Sequence, residues 1–363
     1  MKTTFELNDA RSDNLVVKDR GRFKRVCEIC ESLFQGDDMS QYGQEGDKII
    51  SRLKKLGGNA ANGDGRAIAE INSYLRFIIE PKLTSAMKVF NFLGQYHEIK
   101  YNEQAMVRTY TYEGIEAREQ ASGSDVNFGT RKWIEYPVMT QTVSAGLAID
   151  YREIESGNFD RLGSEMTSQV LVDMNNKSIA LTLEKLHNAV KNNTEYVKFY
   201  SEYDSVPTKT LVDNMISKMR RMGKVGVASD FSNLSTICDW NGYKTLGETS
   251  IPFYSPEQVM EIAKVGLNGF YKGVSLLEVE NPYNYSKPLE DKSGFESYYD
   301  TDKLYFTVQG QSSPLNIFKR GKITTISGND VETGTRKVRF DMEFGADVVK
   351  GREFEIGIIA KKN

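Results

Sequence analysis

The period of apolar and polar positions changes along this chain, and the changes mark its elements. From Glu98 to Tyr112 the sequence is rich in Tyr, Val and Thr, with partial alternation at Ile99, Tyr101 and Glu103 and again at Val107 and Thr109. Trp133 to Val143 returns with Ile134, Tyr136, Val138, Thr140 and Thr142 on one face. Alternation of this kind marks half-buried strands. The two runs therefore predict the arms of a long hairpin, with Ala121–Asp125 as its flexible tip. Pro137 cannot donate to a ladder and suits an edge or a bulge. Beyond the hairpin the steps become three and four: Leu162, Met166, Val170, Met174, then Ile179, Leu183, Leu186 and Val190. That spacing predicts one helix from Phe159, capped by Asn158 and ended by Asn192–Asn193, with a phase slip after Met174. At ~1.5 Å per residue it would be roughly 50 Å long. Arms and a helix of this length exceed what one subunit can cover, which points to a core completed by neighbours.

The flanking sequence is more broken. Residues 1–45 are polar, with a helical patch near Val26–Phe34, and read as an extended arm. Ile49, Ile50, Leu53 and Leu56 predict a helix over Lys48–Leu56, broken by the loop chemistry of Gly57 to Gly65. Ala67–Ile79 predicts another, stopped by Pro81. Thr210–Met222 reads as a helix closed by Gly223. Ser255, Pro256 and Gln258 form a helix start, closed by Gly266. Val274–Val279 reads as a buried strand ended by Asn281–Pro282, and Leu304–Val308 as another. Three strands close the chain, Lys322–Ile326, Lys337–Phe344 and Phe354–Ala360, spaced by turns at Gly328, Gly334 and Gly351. The class is α+β, with no internal repeat.

Composition narrows the function. The 363 residues carry a formal net charge of -3, which argues against a dedicated nucleic-acid binder. No apolar run approaches the ~18 residues of a membrane span, and the N-terminus has no secretory h-region, so the expected folding compartment is a cytosol and no membrane partner is expected. Three cysteines make no disulfide framework, and two histidines leave little for metal binding or general-base work.

Candidate chemistry is sparse. Cys27-Glu28-Ile29-Cys30 is a lone CxxC without the further ligands of a zinc site, and reads as two helix-face or core cysteines. His97-Glu98 lacks the second histidine of HExxH, and no GxSxG follows a predicted strand. The Gly57–Gly65 run lacks the Gly-Lys-Ser/Thr ending of a phosphate loop. No cofactor, metal or catalytic site is expected, and no enzymatic activity. The densest basic cluster is Lys18, Arg20, Arg22, Lys24 and Arg25. It suits contact with phosphate or an acidic neighbouring surface, and equally a solvated arm. Glu113, Glu116, Glu119 and Asp125 make the hairpin tip acidic, either for docking on a basic surface or for solubility.

The order of elements resembles the major capsid proteins of tailed double-stranded DNA bacteriophages, the Hong Kong 97-like fold. The resemblance is carried by Ile99–Asp150 leading into Tyr151-Arg152-Glu153-Ile154 before the long helix. It is carried also by Ser255–Met260 through Gly266-Leu267-Asn268-Gly269 to Gly273-Val274-Ser275, and by Phe344–Val349 with Glu355–Ile358. It covers about residues 70 to 363.

The resemblance implies an N-terminal arm with helices over 1–69, a P-domain start over 70–96 and an extended E-loop over 97–145. The P-domain with its spine helix would follow over 146–196, an inserted A-domain over 197–308 and P-domain return strands over 309–363. It implies self-assembly into pentamers and hexamers of an icosahedral head enclosing double-stranded DNA, in the virion, after assembly in the host cytoplasm. Expected partners are a portal protein, a separate scaffolding protein (no long helical N-terminal segment is read that would supply one), packaged DNA held non-specifically, and decoration proteins. Trp133, Tyr136, Glu116 and Glu119 would serve assembly on the E-loop, and Lys132 is the loop lysine that could be placed as a cross-linking residue. The same fold also serves encapsulin-like nanocompartment shells. An enzyme of another type is the remaining alternative.

Overall fold

The computed structural model describes residues 7–8, 16–17, 20–35, 37, 39–85, 88–113, 119, 129–149, 151–157, 170–194, 197–240, 243–246, 249–252, 267, 269–300, 302–309, 313–329 and 336–362. Helices and strands both contribute, in agreement with the α+β class. Contacts divide the chain into two compact units. The first takes Met1–Met87, Thr142–Ser178 and Gly321–Glu343; the second takes Lys88–Gln141, Ile179–Arg320 and Phe344–Asn363.

The first unit is built on helices Arg20–Gln35, Gly43–Ala61 and Gly65–Ser85, with the short helix Tyr151–Ser156. Ile29, Cys30, Leu33 and Phe34 bury one face of the first helix, Ile49, Leu53 and Ala60 of the second, and Ile68, Ile71, Tyr74 and Leu75 of the third. The patch expected over Val26–Phe34 is thus part of a sixteen-residue helix. The Gly57–Gly65 run is not a loop throughout. Gly57 and Gly58 are helical, and the turn is confined to Asn62–Asp64. The reason is close packing: a Cβ on Gly57 would lie 2.8 Å from the Glu155 amide nitrogen and 2.9 Å from the Ile154 side chain. Glycine here lets the Tyr151–Ser156 helix approach. Just before the expected cap at Asn158, a short helix closes at Ser156, and Gly157 (φ +90) makes the turn. Asn158 lies outside the described residues. The third helix continues past Pro81 to Ser85. A proline removes one intrahelical hydrogen bond. The buried face upstream anchors the helix well enough to carry it on.

A partly buried ion pair ties the second and third of these helices. Arg52 donates to Glu70 Oε1 from Nη2 at 2.5 Å and Nε at 3.1 Å, and the Tyr74 hydroxyl donates to the same oxygen at 2.6 Å. The strand portions of this unit alternate cleanly. Val143 and Leu147 face in, as do Val338, Phe340 and Met342, while Arg339 outside donates to Ser144 Oγ at 2.9 Å.

The second unit centres on a six-stranded sheet in the order Phe270–Tyr271, Val274–Glu278, Lys224–Ser229, Lys303–Gln309, Ile356–Lys361, Phe199–Tyr203. Val274–Glu278 runs parallel to Lys224–Ser229, and Ile356–Lys361 parallel to Phe199–Tyr203; Lys303–Gln309 is antiparallel to both its neighbours. Helices Lys209–Met219 and Phe231–Asp239 bury Val212, Met215, Ile216, Met219, Leu234 and Ile237 against one face. The opposite face meets helix Lys88–Leu93 near Gly226, and Tyr200 meets His187 of the helix Val172–Lys191. The terminal strand, expected among the return strands, therefore lies inside the sheet of the 197–308 region. Its hydrophobic run Ile356–Ala360 is buried on both faces, as a central strand requires.

The described part of the long helix, Val172–Lys191, spans twenty residues and ends where Asn192 was expected to end it. Its predicted beginning lies outside the described residues, as do the tip Ala121–Asp125 and the Ser255 helix. Helix Lys209–Met219 ends three residues earlier than expected, in a turn reaching Gly223.

Substituting Gly57→Ala should destabilise the subunit by about 1–3 kcal/mol through overpacking against Ile154 and Glu155. Gly65→Ala, where an added Cβ meets nothing within 4 Å, should leave it within about 0.5 kcal/mol or slightly above wild type. Urea unfolding midpoints of the two variants check this.

Candidate assembly interface

The long arms expected over Glu98–Tyr112 and Trp133–Val143 are each interrupted. Gln95–Ile99 leaves the hairpin to run parallel with Asn316–Arg320. The hairpin proper pairs Met106–Glu113 with Thr130–Pro137, from Met106 opposite Pro137 out to Glu113 opposite Thr130. With only two strands, both are edges, which is why Pro137 costs no ladder bond.

The root of this hairpin is fixed. Ala105, Val107, Val138, Phe318 and Val349 form one buried cluster, with Ile99 and Tyr136 packed against it. The Tyr136 hydroxyl donates to the Val348 carbonyl at 3.1 Å and accepts from the Lys350 amide at 3.1 Å. Lys350 Nζ lies 4.8 Å from the ring centre. Burial pushes the Tyr136 phenol up to about 12, so it stays a neutral donor.

Further out, the side chains turn to solvent. Trp133 is 46% and Tyr110 42% exposed; they are cross-strand partners, with rings edge-to-face at 4.3 Å. The Arg131 guanidinium sits 3.2 Å from the centre of the Tyr110 ring. Arg108 donates to Glu135 Oε1 at 2.8 Å, and the Trp133 indole to Glu135 Oε2 at 3.3 Å. Those two donors hold the Glu135 carboxyl below the usual carboxylate range. Rigid, pre-stacked aromatics with a guanidinium beside them are what protein interfaces use as anchors, because little side-chain freedom is lost on docking.

The structure therefore separates the residues expected on this loop. Trp133 is displayed, whereas Tyr136 is tied into its own unit. Glu119 is exposed, and Glu116 lies outside the described residues. Tyr110 and Arg131 escaped sequence reasoning; Tyr110 was within reach, since the register set by Met106 and Pro137 puts it opposite Trp133. Of the basic cluster, Lys24 and Arg25 are exposed on the first helix but already paired. Lys24 approaches Glu28, and Arg25 approaches Glu28 and Glu45 and lies over the Tyr42 ring. Lys18 and the side chains of Arg20 and Arg22 lie outside the described residues.

The residues weighed for chemistry sit elsewhere. Cys27 and Cys30 are buried free thiols on the first helix. Burial, with Glu28 and Glu31 nearby, pushes the Cys27 thiol up to about 12, and burial raises Cys30 as well. His97 stacks on Phe318 and meets Asn316 Oδ1 at 3.3 Å. The His187 imidazole is held below its ordinary value by burial and by Lys303 and Lys191. Among the described residues no group of His, Cys, Asp and Glu could hold a metal, and no helix is long and apolar enough to cross a membrane.

The hairpin is thus anchored at its root and displays stacked aromatic side chains further out. The family model described as "SPbeta prophage-derived putative capsid protein YonB" matches residues 21–360. The chain belongs to the YonB capsid protein family. No curated protein matches it. Among solved structures, the YonB-family chain is similar to the virus-like particle from Pyrococcus furiosus, at 12% identity and a TM-score of 0.46, over 79% of this chain and 98% of that one. It is similar to the mature capsid of bacteriophage PhiM1 at 10% identity and 0.47, over 76% and 87%. A native GTA particle capsid gives 11% and 0.44, over 77% and 91%. These likenesses are loose, and the assignment of the chain as a capsid family member rests on the family model.

Two outcomes follow from the site's geometry. For the unassembled YonB-family subunit, Tyr136→Phe should cost about 1 kcal/mol, since two hydrogen bonds to fixed backbone groups go, and Tyr136→Ala about 2–4 kcal/mol, whereas Trp133→Ala should stay within about 1 kcal/mol of wild type. Denaturant titrations of the three variants measure this. At pH 8, Cys27 and Cys30 in the folded subunit should alkylate at least about a hundredfold more slowly than after unfolding, because the raised thiol values leave almost no thiolate below pH 10. Mass spectrometry of the alkylated chain reads the difference.

Proposed function

We infer that this protein is the major capsid subunit of a tailed phage or prophage head. The observation that carries the reading is membership of the capsid family across residues 21–360. In this reading the subunit closes into pentamers and hexamers of an icosahedral shell. A head-to-tail contact generates rings when its rotation closes. The role is structural and not catalytic, and the location is the virion. Family membership favours a phage head over an encapsulin-like compartment.

The domains implied by the fold take their roles accordingly. The 97–145 loop lies over a neighbouring subunit with Trp133 and Tyr110 as its anchors, and Glu116 and Glu119 meet that neighbour's surface. The 197–308 region crowds the ring centre. The long helix lines the shell. Lys18, Arg20 and Arg22, with the partly neutralised Lys24 and Arg25, face the packaged double-stranded DNA or an adjacent subunit. Contact with DNA would be non-specific and weaken steeply with salt. A portal, a separate scaffolding protein and decoration proteins complete the partner set.

Electron microscopy of the chain expressed alone and with its scaffold tests the reading. Closed shells, rings or tubes are expected. A subunit that stays monomeric under every salt and scaffold condition would sink it. Trp133→Ala should reduce the yield of shells about tenfold or more while the subunit still folds; shells at wild-type yield would remove Trp133 from the interface.

A further inference from the structure

The six-stranded sheet of the second unit has oppositely charged ends. At one end the chain enters Lys224–Ser229 and, running parallel, Val274–Glu278. Here lie Arg220, Arg221 and Lys224, and Lys272 in the turn before Val274, all exposed. They are brought together in space: Arg220 Nη1 donates to the Lys272 carbonyl at 3.4 Å, and Lys224 pairs across the ladder with Gln309. Among the described residues, Asp213 is a counter-charge at this turn, engaged by Lys272 at 2.7 Å and by the Tyr271 hydroxyl at 2.9 Å.

At the other end, about 20 Å away by strand length, the same strands leave into acid. Ser229 leads to Asp230, and its ladder partner Glu278 leads to Glu280. Asp300 and Asp302 precede the antiparallel Lys303–Gln309. Lys303 and Lys361 engage Asp300 and Asp302; Lys362 also lies at this end, and Glu202, Asp204, Asp230, Glu278 and Glu280 outnumber it and set the sign. The Glu278 carboxyl is pushed up by burial and by the charges of Glu280 and Asp230, as expected of carboxylates that crowd one another.

Each end also shows aromatic surface. Phe270 is 60% exposed beside Lys272. From the acidic end projects the hairpin Tyr283–Pro288 with Phe295–Ser297, on which Tyr285 is 77% exposed and packs edge-to-face on Phe295. Arginine opposite exposed tyrosine is a pairing that interface centres favour.

We propose that the basic end of one copy docks on the acidic, aromatic end of the next copy, so that the sheet unit is the charged head-to-tail link of the capsid ring. The occupant of each end is a second copy of this chain, because both complementary surfaces sit on one rigidly paired sheet and point opposite ways along its strands. This rests on the shell reading above and names the contact that orients neighbours within a ring. Like-signed ends repel, so the link also forbids head-to-head pairing.

Charge reversal tests it on the full chain. Arg220→Glu with Arg221→Glu gives a copy with two acidic ends; Glu278→Lys with Glu280→Lys gives one with two basic ends. Each alone should lose about tenfold or more of its assembled material at low salt. The four-fold variant with both ends reversed should recover it, and equal mixtures of the two should recover even-membered rings, in which the copies can alternate. Circular dichroism of each unassembled variant establishes that it folds. Folded variants that assemble alone like wild type, or that are not recovered by the four-fold reversal, overturn the proposal while leaving the shell reading intact. Loss of retained DNA by the arginine variant with unchanged assembly also overturns it and assigns the basic end to phosphate. A wild-type chain that never assembles removes the shell reading itself.

Discussion

Burial of Ile356–Ala360 on both faces, with a strand paired along each edge, is the constraint on which the second unit depends. This strand lies between Lys303–Gln309 and Phe199–Tyr203, hydrogen-bonded to each. Its partners come from distant parts of the sequence, so the sheet is complete only when the last strand is in place. Helix Lys209–Met219 packs onto it so closely that Gly357 has no room for a side chain: a Cβ there would meet Met219 Sδ at 2.6 Å and Met215 Sδ at 2.8 Å. Contacts of such sequence separation are slow to form and strongly cooperative once made. They also leave the strand ends, and the charged turns on them, in fixed positions.

How far the fold could be read from sequence follows from which faces are wet. Lys337–Phe344 was legible because its strand is one-sided: Val338, Phe340 and Met342 are buried while Lys337 and Arg339 are exposed, and alternation is the direct record of that. Lys224–Ser229 escaped notice because Val225 to Ser229 are all buried. A strand covered on both sides has no alternation to display, and Gly226 within it reads as a breaker. The Gly57–Gly58 pair misled for a related reason. Glycine signals a loop only when its backbone is free, and here it marks a helix approached closely by Ile154 and Glu155. The class, the tail strands and the hairpin could be read locally; the helical glycines and the place of the terminal strand were fixed by tertiary contacts.

The candidate interface divides along the same line. Sequence alternation put Tyr136 and Trp133 on opposite faces of one strand, and that difference decides their roles. Tyr136 belongs to the face that closes on Val107, Phe318 and Val349, so its hydroxyl finds the backbone of Val348 and Lys350. Trp133 belongs to the other face, where its neighbours are Tyr110 across the ladder and Glu135 along the strand. A hairpin whose root is part of a core holds its outer half, with its stacked aromatics, in a fixed position. The root supplies rigidity and the outer half supplies surface, each from alternate residues of the same strand.

A net charge of -3 over 363 residues conveys nothing about this organisation. The charges that matter for association are separated by topology. Parallel pairing places the starts of Lys224–Ser229 and Val274–Glu278 together and their ends together, and the antiparallel Lys303–Gln309 brings the residues preceding it to the same end. Cations that precede two strands thus gather at one pole, and carboxylates that follow those strands or precede the third gather at the other. Had the two strands been antiparallel, the same residues would have mixed and cancelled. Chain polarity converts a nearly neutral sequence into a dipolar unit, and a dipolar unit favours neighbours arranged head to tail, the arrangement from which closed rings are made.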